Sequence, residues 1–438
     1  MQRDSKINGA ASRRQFLKTS TAAAVGGVLA APAFATPHVG GSDVIKVGLI
    51  GCGGRGSGAA AQALRADKGC RLVAMADAFS DRLEGSLKNL MRTKNVKDQI
   101  EIDDAHKFTG FDAGKKLINS GIDVVLLAEP PHFRSHHLRL AVEKGLHVFC
   151  EKPVAVDGAG VRSVLETVEI ARQKKLSVVS GLCWRYDNQK KATIQRVLDG
   201  HIGDVVTMQC TYNTGELWHR GHKEQWSDME YQCRNWLYFA WLSGDHITEQ
   251  HIHSLDKMPW AMGDEYPVKC VGSGGRQVRT DEKWGNIYDH FNITYEWKNG
   301  VKAFASCRQM NGTSGDVSDH IYGTKGRCHV FGHRTTDHSG NETWRYEGPR
   351  NSMYQTEHNE LFRSIREGKP INNGDYMAKS TLMAVMGRLA AYTGQVVTFD
   401  KALNSTDRLG PASTDPSAYE WADMPVPPVA IPGINRLK

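Results

Sequence analysis

Two domains of different architecture are predicted for this chain of 438 residues: an α/β domain on a parallel sheet, then an α+β domain with a large, open, mainly antiparallel sheet. Three observations carry the prediction. Between Val44 and Val179 short apolar runs alternate with amphipathic stretches, the pattern of strand–helix–strand units with buried parallel strands. A glycine-rich turn, Gly51-Cys52-Gly53-Gly54-Arg55-Gly56, follows the first of those runs and opens the first amphipathic stretch. After Gly181 the runs lengthen, alternate polar with apolar residues, and meet at turns such as Lys298-Asn299-Gly300. The length alone already favours two domains over one.

Residues 1–35 form a leader in three parts. A basic start ends in Arg13-Arg14 and runs into Phe16-Leu17-Lys18; a mildly apolar stretch rich in Ala and Gly follows; Ala33-Phe34-Ala35 offers the small residues a signal peptidase cleaves beside. Paired arginines ahead of a weakly apolar segment resemble a twin-arginine (Tat) export signal. Export through the Tat machinery, to the periplasm or another space outside the cytoplasm, is therefore expected. The formal charge of +7 rests largely on Arg3, Lys6, Arg13, Arg14 and Lys18 of this leader. What remains is only slightly basic and holds no Lys/Arg block, so nucleic acid is not an expected partner. No later stretch is apolar for long enough to span a membrane.

In the first domain, assigned to 44–180, "IKVGLIG", "RLVAMAD", "DVVLLAE", "HVFCEKP" and "LSVVSG" read as strands. "GSGAAAQALRAD", "FRSHHLRLAVEKG" and "AGVRSVLETVEIARQKK" read as helices between them. The second domain, assigned to 181–400, holds the strands "IGDVVTMQCTYN", "PVKCVGSGGRQV", "DHFNITYEWKNGVKAFASCRQM" and "CHVFG". Helices are expected over "NWLYFAWLSGDHITEQHIHSLDKMPWAM", "HNELFRSIREG" and "MAKSTLMAVMGRLAAYTG". Residues 405–438, rich in proline from Pro411 to Pro432, read as an extended arm packing on this subunit or a neighbouring one. The nine cysteines are dispersed, without C-x-x-C, and sit mostly inside apolar runs, so they are expected as buried thiols and not as a disulfide framework.

The glycine-rich turn has the context that gives a G-x-G-x-x-G its meaning, after a strand and before a helix. Gly51 permits the tight turn, Gly53 lets backbone approach a pyrophosphate, and Gly56 lets the helix pack closely on the strand. Arg55 lies within the same turn. Asp77 ends the next strand about 20 residues on, where an acid receives the ribose hydroxyls of a dinucleotide. Its charge repels a 2′-phosphate, which favours NAD over NADP, although Arg82 stands nearby. The first domain is thus a Rossmann NAD(P)-binding domain, with NAD the expected cofactor.

Two further segments carry chemistry. Glu151-Lys152-Pro153 ends a buried strand, where side chains of an open α/β sheet project into the ligand crevice. Downstream, His246, Glu249, His253 and Asp256 fall within a stripe roughly 80° wide if the segment is one helix. Four titratable side chains on one face are expected to point into a cleft. The spacing of Asp245, His246, Glu249 and His253 would also permit two or three metal ligands, but no H-x-x-x-H or carboxylate-rich segment completes a set, and no metal is assigned.

In this order the glycine-rich turn, the Glu-Lys-Pro tripeptide and the acid-x-x-x-His-x-x-Asp segment resemble the glucose–fructose oxidoreductase, inositol dehydrogenase and MocA family (Gfo/Idh/MocA), over about Val44 to Asp400. The resemblance implies that Lys152 holds the reacting oxygen and His253 is the acid/base. Glu249 stands where the family has Asp and would be a substrate ligand or orienter of the histidine; Asp256 supports the helix. Gly51, Gly53, Gly54, Arg55, Gly56, Asp77, Glu151, Lys152 and His132 are the cofactor-binding candidates. Arg185, Tyr186, Trp236 and His246 are candidates for the substrate, with Trp184, Tyr212, His219 and Tyr238 as further pocket aromatics suited to the faces of a sugar ring.

The expected function is an exported NAD-dependent oxidoreductase acting on a CH–OH group of a sugar, polyol or glycoside, a homo-oligomer with its cofactor tightly bound and recycled in place. The Tat route carries folded proteins, so the cofactor can be loaded before export, and outside the cytoplasm no pool replaces it. Two alternatives stay open: an NAD-dependent, redox-neutral glycoside hydrolase or lyase, and an exported sugar-binding protein with a structural nucleotide.

Overall fold

The computed structural model describes residues 43–437; the leader assigned to 1–35 lies outside the described residues. A six-stranded, all-parallel sheet comes first, made of β1 (Ile45–Ile50), β2 (Cys70–Asp77), β3 (Lys107–Thr109), β4 (Val124–Leu127), β5 (His147–Cys150) and β6 (Val178–Ser180) in the order β3-β2-β1-β4-β5-β6. Its crossovers carry α1 (Gly54–Ala66), α2 (Ser80–Met91), α3 (Ala113–Ile118), α4 (Pro131–Lys144) and α5 (Gly158–Gln173). β4 is apolar and buried at every position, and β1 exposes only Lys46, as strands covered on both faces must be. In α1 the buried Ala59, Ala60, Ala61 and Ala63 hold the helix close to the sheet. α4 begins on Pro131 and ends on Gly145 in the left-handed region, the usual asymmetry of helix ends. α5 is capped by Asp157, whose side chain accepts from the Gly160 N–H.

The second sheet has nine strands. Along the chain the remaining elements are α6 (Asn188–Leu198), β7 (Val205–Thr214), α7 (Asp228–Arg234), α8 (Ala240–Ser243), α9 (His246–Glu249), α10 (Ile252–Ala261), β8 (Lys269–Gly275), β9 (His290–Glu296), β10 (Lys302–Gln309), β11 (Asp319–Gly323), β12 (Arg327–His329), β13 (Arg334–Thr336), β14 (Glu342–Arg345), α11 (Met353–Arg366), α12 (Gly374–Thr393), β15 (Val397–Thr398) and α13 (Phe399–Leu403). The strand order is β14-β13-β12-β11-β7-β10-β9-β8-β15, antiparallel except where β7 and β10 pair in parallel. β9 and β10 form the hairpin expected at Lys298-Asn299-Gly300, with Gly300 at φ 87°.

The long helix expected over "NWLYFAWLSGDHITEQHIHSLDKMPWAM" is instead three short pieces, α8, α9 and α10. Gly244 and Asp245 both have positive φ, which ends α8. Asp245 holds that bend: its buried carboxylate accepts from the His246 and Tyr288 N–H groups and from the Tyr392 hydroxyl. A second break at Gln250-His251 separates α9 from α10. The four-residue helical stripe therefore does not exist, and its members face different surroundings.

Two later helices return to the first sheet. Leu361 and Phe362 of α11 join the core that holds Val47, Leu49 and Phe149. α12 is buried on nearly every face, and its Leu382, Met383, Val385 and Met386 share one core with Val161, Val164 and Val168 of α5 and with Ile293 and Tyr295 of β9. The proline-rich arm packs on its own chain: the Leu409 N–H donates to Asp157, and Trp421 stacks on Phe111 at 4.1 Å. All nine cysteines are buried and free.

Arg185 ties the turn after β6 to α10. Its guanidinium forms a two-pronged pair with Asp256 (2.8 and 3.0 Å) and reaches Asp264, while the Ser380 hydroxyl donates to Asp256. Removing one member of a buried pair strands the other. Asp256→Ala is expected to cost about 3–5 kcal/mol, read as a lower urea midpoint in unfolding followed by tryptophan fluorescence.

Candidate active site

The order of the first sheet reverses between β1 and β4, so a crevice opens at the carboxyl ends of these strands. It holds about 490 Å³ and is walled by Gly51, Gly53, Gly54, Arg55, Asp77 and Glu129, with Phe79, Arg82 and Phe111 on one side and Trp218, Arg220, Arg234 and Trp236 across from the second domain. The glycines do what each position requires. At Gly51 (φ 93°) a Cβ would lie 2.3 Å from the Glu129 backbone nitrogen, and at Gly56 a Cβ would lie 1.9 Å from the Gly51 oxygen. At Gly53 and Gly54 nothing lies within 4 Å of the Cβ position, which leaves an open cradle at the N-terminus of α1. Unpaired N–H groups of a first helical turn and the arginines beside them suit a pyrophosphate. A dinucleotide fits this donor set.

Asp77 braces the cradle. Its carboxylate accepts from the Cys52 N–H at 2.7 Å and from the Phe79 N–H at 2.9 Å. Burial pushes its pKa up, while these N–H groups pull the other way. Glu151, at the end of β5, reaches the same loop: its carboxylate lies 3.2 Å from the Arg55 Nε. The Glu-Lys-Pro tripeptide is thus fastened to the glycine-rich turn by one ion pair.

Lys152 points the other way. Its Nζ donates to the Glu249 main-chain oxygen at 2.5 Å and to the Glu249 carboxylate at 3.0 Å. α9 ends at Glu249, so this carbonyl is one that the helix leaves without an internal partner. His253, the second residue of α10, has its Nδ1 sealed without a partner, and its Nε2 is not sealed. Its ring lies 4.9 Å from Trp184, and the Lys257 ammonium sits 3.6 Å from the centre of the same indole. Lys257 is itself paired with Asp319, both fully buried. Burial, and after it the positive charges of Lys152 and Lys257, hold the His253 pKa well below the usual histidine value. Lys257 is pulled down to about 8 by burial, against the pull of Asp319. A neutral imidazole beside an ammonium is a proton acceptor next to a site for a developing oxyanion.

Several sequence candidates are placed elsewhere. Arg185 is engaged by Asp256 and Asp264. Tyr186 is buried and donates to Asn373. His246 lies in the core against Phe291, its Nδ1 on Asp245. His132 bonds the Tyr419 hydroxyl at 2.8 Å and meets Trp241 edge-on; burial lowers its pKa to about 4. Trp236 stands in the crevice wall. The arrangement therefore brings together Lys152, Glu249 and His253, with Trp184 and Tyr212 stacked nearby, and leaves Arg185, Tyr186, His132 and His246 in supporting positions. Among the described residues no three His, Cys, Asp or Glu side chains converge as metal ligands would.

Sequence reasoning missed Glu129, a buried crevice residue paired with His137 at 3.0 Å. The signal was available, because Glu129 follows the buried run of β4 just as Glu151 follows β5. Phe111, Trp218 and Arg220 were also missed, and no local pattern marks them.

Residues 45–181 match the oxidoreductase family with the NAD-binding Rossmann fold, Gfo/Idh/MocA, and residues 191–329 match a Gfo/Idh/MocA C-terminal domain. An inositol 2-dehydrogenase of Saccharopolyspora erythraea is 26% identical over 286 residues, 64% of this chain and 78% of that one. An inositol 2-dehydrogenase of Rhizobium meliloti is 24% identical, over 64% of this chain and 74% of its own. Among solved structures, the aldose–aldose oxidoreductase of Caulobacter crescentus aligns with a TM-score of 0.62 at 18% identity, over 81% of this chain and 99% of that one. The scyllo-inositol dehydrogenase of Lactobacillus casei, bound to NAD(H) and scyllo-inositol, aligns with a TM-score of 0.61 at 18% identity, over 82% and 100%. The two matches follow one another along the two domains, and the chain belongs to the Gfo/Idh/MocA family of oxidoreductases.

Proposed function

We propose that this protein is an exported NAD-dependent dehydrogenase of a ring or chain hydroxyl on a sugar or polyol, with its cofactor retained and returned to NAD in place by hydride transfer to the carbonyl of a second sugar. The observation that carries the catalytic part is the meeting of Lys152 with Glu249 beside His253. NAD in the crevice would supply the hydride acceptor. The remaining work falls to the chain. The Lys152 ammonium stabilises the substrate oxygen as it gains negative charge, and the His253 Nε2 takes the hydroxyl proton. Glu249 fixes the ammonium in place through two oxygens, and the rings of Trp184 and Tyr212 offer flat apolar faces to a carbohydrate.

Asp77 at the end of β2 favours NAD over its 2′-phosphorylated form. Retention is supported by the way the crevice is roofed. Arg234 lies 3.9 Å from the centre of the Phe79 ring and pairs with Asp81, and Trp421 of the arm packs on Phe79 and Phe111. Export rests on the Arg13-Arg14 leader. Self-association is supported by the open face of the second sheet, where Val271 and Phe304 are about half exposed.

With an aldose added to reoxidise the bound nucleotide, and turnover of myo-inositol, scyllo-inositol or D-glucose followed by product formation, Lys152→Met and His253→Leu are expected to lose roughly 10²–10⁴-fold in kcat/KM, with the content of bound NAD unchanged. Normal turnover by both variants would remove the proposed site. The sign of the pH dependence follows from the depressed His253 pKa. The base form persists below the ordinary histidine range, so kcat/KM should fall only once the pH has dropped beneath that range. Lys257→Met deletes one of the charges that depress it, and should move this acid limb to higher pH. Mass spectrometry of nucleotide released on denaturation should find about one NAD per chain after dialysis, and Trp421→Ala should lose it faster. A wild-type chain that emerges empty and binds NAD weakly would overturn retention.

A further inference from the structure

A chain of amide and guanidinium contacts ends beside Glu249. Arg279 is fully buried and makes no ion pair among the described residues; of the carboxylates around it, that of Asp289 is occupied by the backbone N–H groups of Gln277, Val278 and Arg279 and by the His290 ring, and that of Asp245 by the His246 and Tyr288 N–H groups and the Tyr392 hydroxyl. The guanidinium gives its one side-chain hydrogen bond to Gln309, Nη2 to Oε1 at 2.6 Å, and lies 5.5 Å from the centres of the Tyr238 and Trp284 rings. Gln309, at the end of β10 and 3% exposed, in turn donates its Nε2 to the Gln250 Oε1.

The direction of this relay is fixed by chemistry. A guanidinium can only donate, so Gln309 must present its oxygen to Arg279 and its NH₂ to Gln250. Gln250 must then use its oxygen inward, and its own NH₂ is the group left over. That Nε2 has no partner among the described residues and is not sealed from solvent. Gln250 directly follows Glu249, whose carbonyl and carboxylate both hold Lys152, and it occupies the break between α9 and α10.

Building on the proposed dehydrogenase reading, we infer that Gln250 binds substrate as a hydrogen-bond donor, to a neutral hydroxyl or carbonyl oxygen next to the reacting carbon, and that Arg279 and Gln309 are positioning residues that keep its NH₂ turned toward the cleft. Neither positioning residue touches the substrate. They act by forbidding the flip that would offer an acceptor instead of a donor. This also accounts for a buried, carboxylate-free guanidinium: its value lies in having no acceptor atom, which a glutamine or histidine in its place would have.

The test compares wild type, Gln250→Leu and Gln309→Glu, each with NAD and with myo-inositol, scyllo-inositol and D-glucose. In Gln309→Glu the introduced carboxylate still accepts from Arg279 but cannot donate, so Gln250 would turn its NH₂ inward and offer oxygen to the cleft. Both variants are expected to raise KM about five- to tenfold for the polyol that the wild type oxidises, the loss of one neutral hydrogen bond. The kcat, the NAD Kd from fluorescence titration and the melting temperature should stay close to wild type. Gln250→Leu with an unchanged KM overturns the assignment of Gln250. A raised KM in Gln250→Leu but not in Gln309→Glu overturns the relay. A wild type that oxidises none of the three substrates while binding NAD overturns the dehydrogenase reading on these substrates, and the Gln250 assignment falls with it.

Discussion

The contact between Lys152 and Glu249 is where the two sheets become one machine. The lysine stands two residues beyond a buried parallel strand and the glutamate is the last residue of a short helix in the other domain. An ammonium needs several oxygens around it when it leaves water. Here one oxygen is a carboxylate and another is a carbonyl that the end of α9 leaves without an internal partner. The break between α9 and α10 is therefore part of the design of the site. A continuous helix would have used that carbonyl internally and carried Gln250 around to a different face.

Around this contact the charges are arranged in layers. Toward the cofactor crevice, Arg55 is held by Glu151, which keeps a cation at the cradle without a loose side chain. Away from it, Lys257 is neutralised by Asp319 yet still faces Trp184, an arrangement worth up to about 2 kcal/mol where water is excluded. His253 lies between the positive groups and stays neutral. Three histidines the sequence offered near the site meet different fates: His246 bonds Asp245, His132 bonds Tyr419, and His253 keeps its Nε2 unsealed.

Much of this was legible in the residues. The parallel sheet, its crevice and the glycine roles follow from strand-length apolar runs and from a turn whose steric demands only glycine meets. The hairpin at Asn299-Gly300 and the burial of the cysteines follow from equally local signals. The broken helix was not legible, because "GDHITEQHIHSLD" has good helical spacing, the bend ahead of His246 depends on Asp245 finding Tyr288 and Tyr392, far along the chain, and no local signal marks the second break at Gln250-His251. Arg185, Tyr186 and His246 looked like substrate residues for the same reason: local pattern shows which side chains are polar, and only tertiary pairing shows which are already engaged. Trp218 and Arg220 in the crevice wall come from an irregular segment with no periodicity to read.

The return of α11 onto the first sheet sets an order of events during synthesis. Val47, Leu49 and Phe149 are covered by Leu361 and Phe362, which leave the ribosome long after the last strand of that sheet is made. Until then the nucleotide-binding half has an uncovered apolar face and long-range contacts still to form, the condition that slows folding and invites chaperones. A chain cut short before α11 would carry every glycine and acid needed to hold a dinucleotide and still lack a finished core to hold them still. Completion of the polypeptide, rather than completion of the motif, is what closes this core.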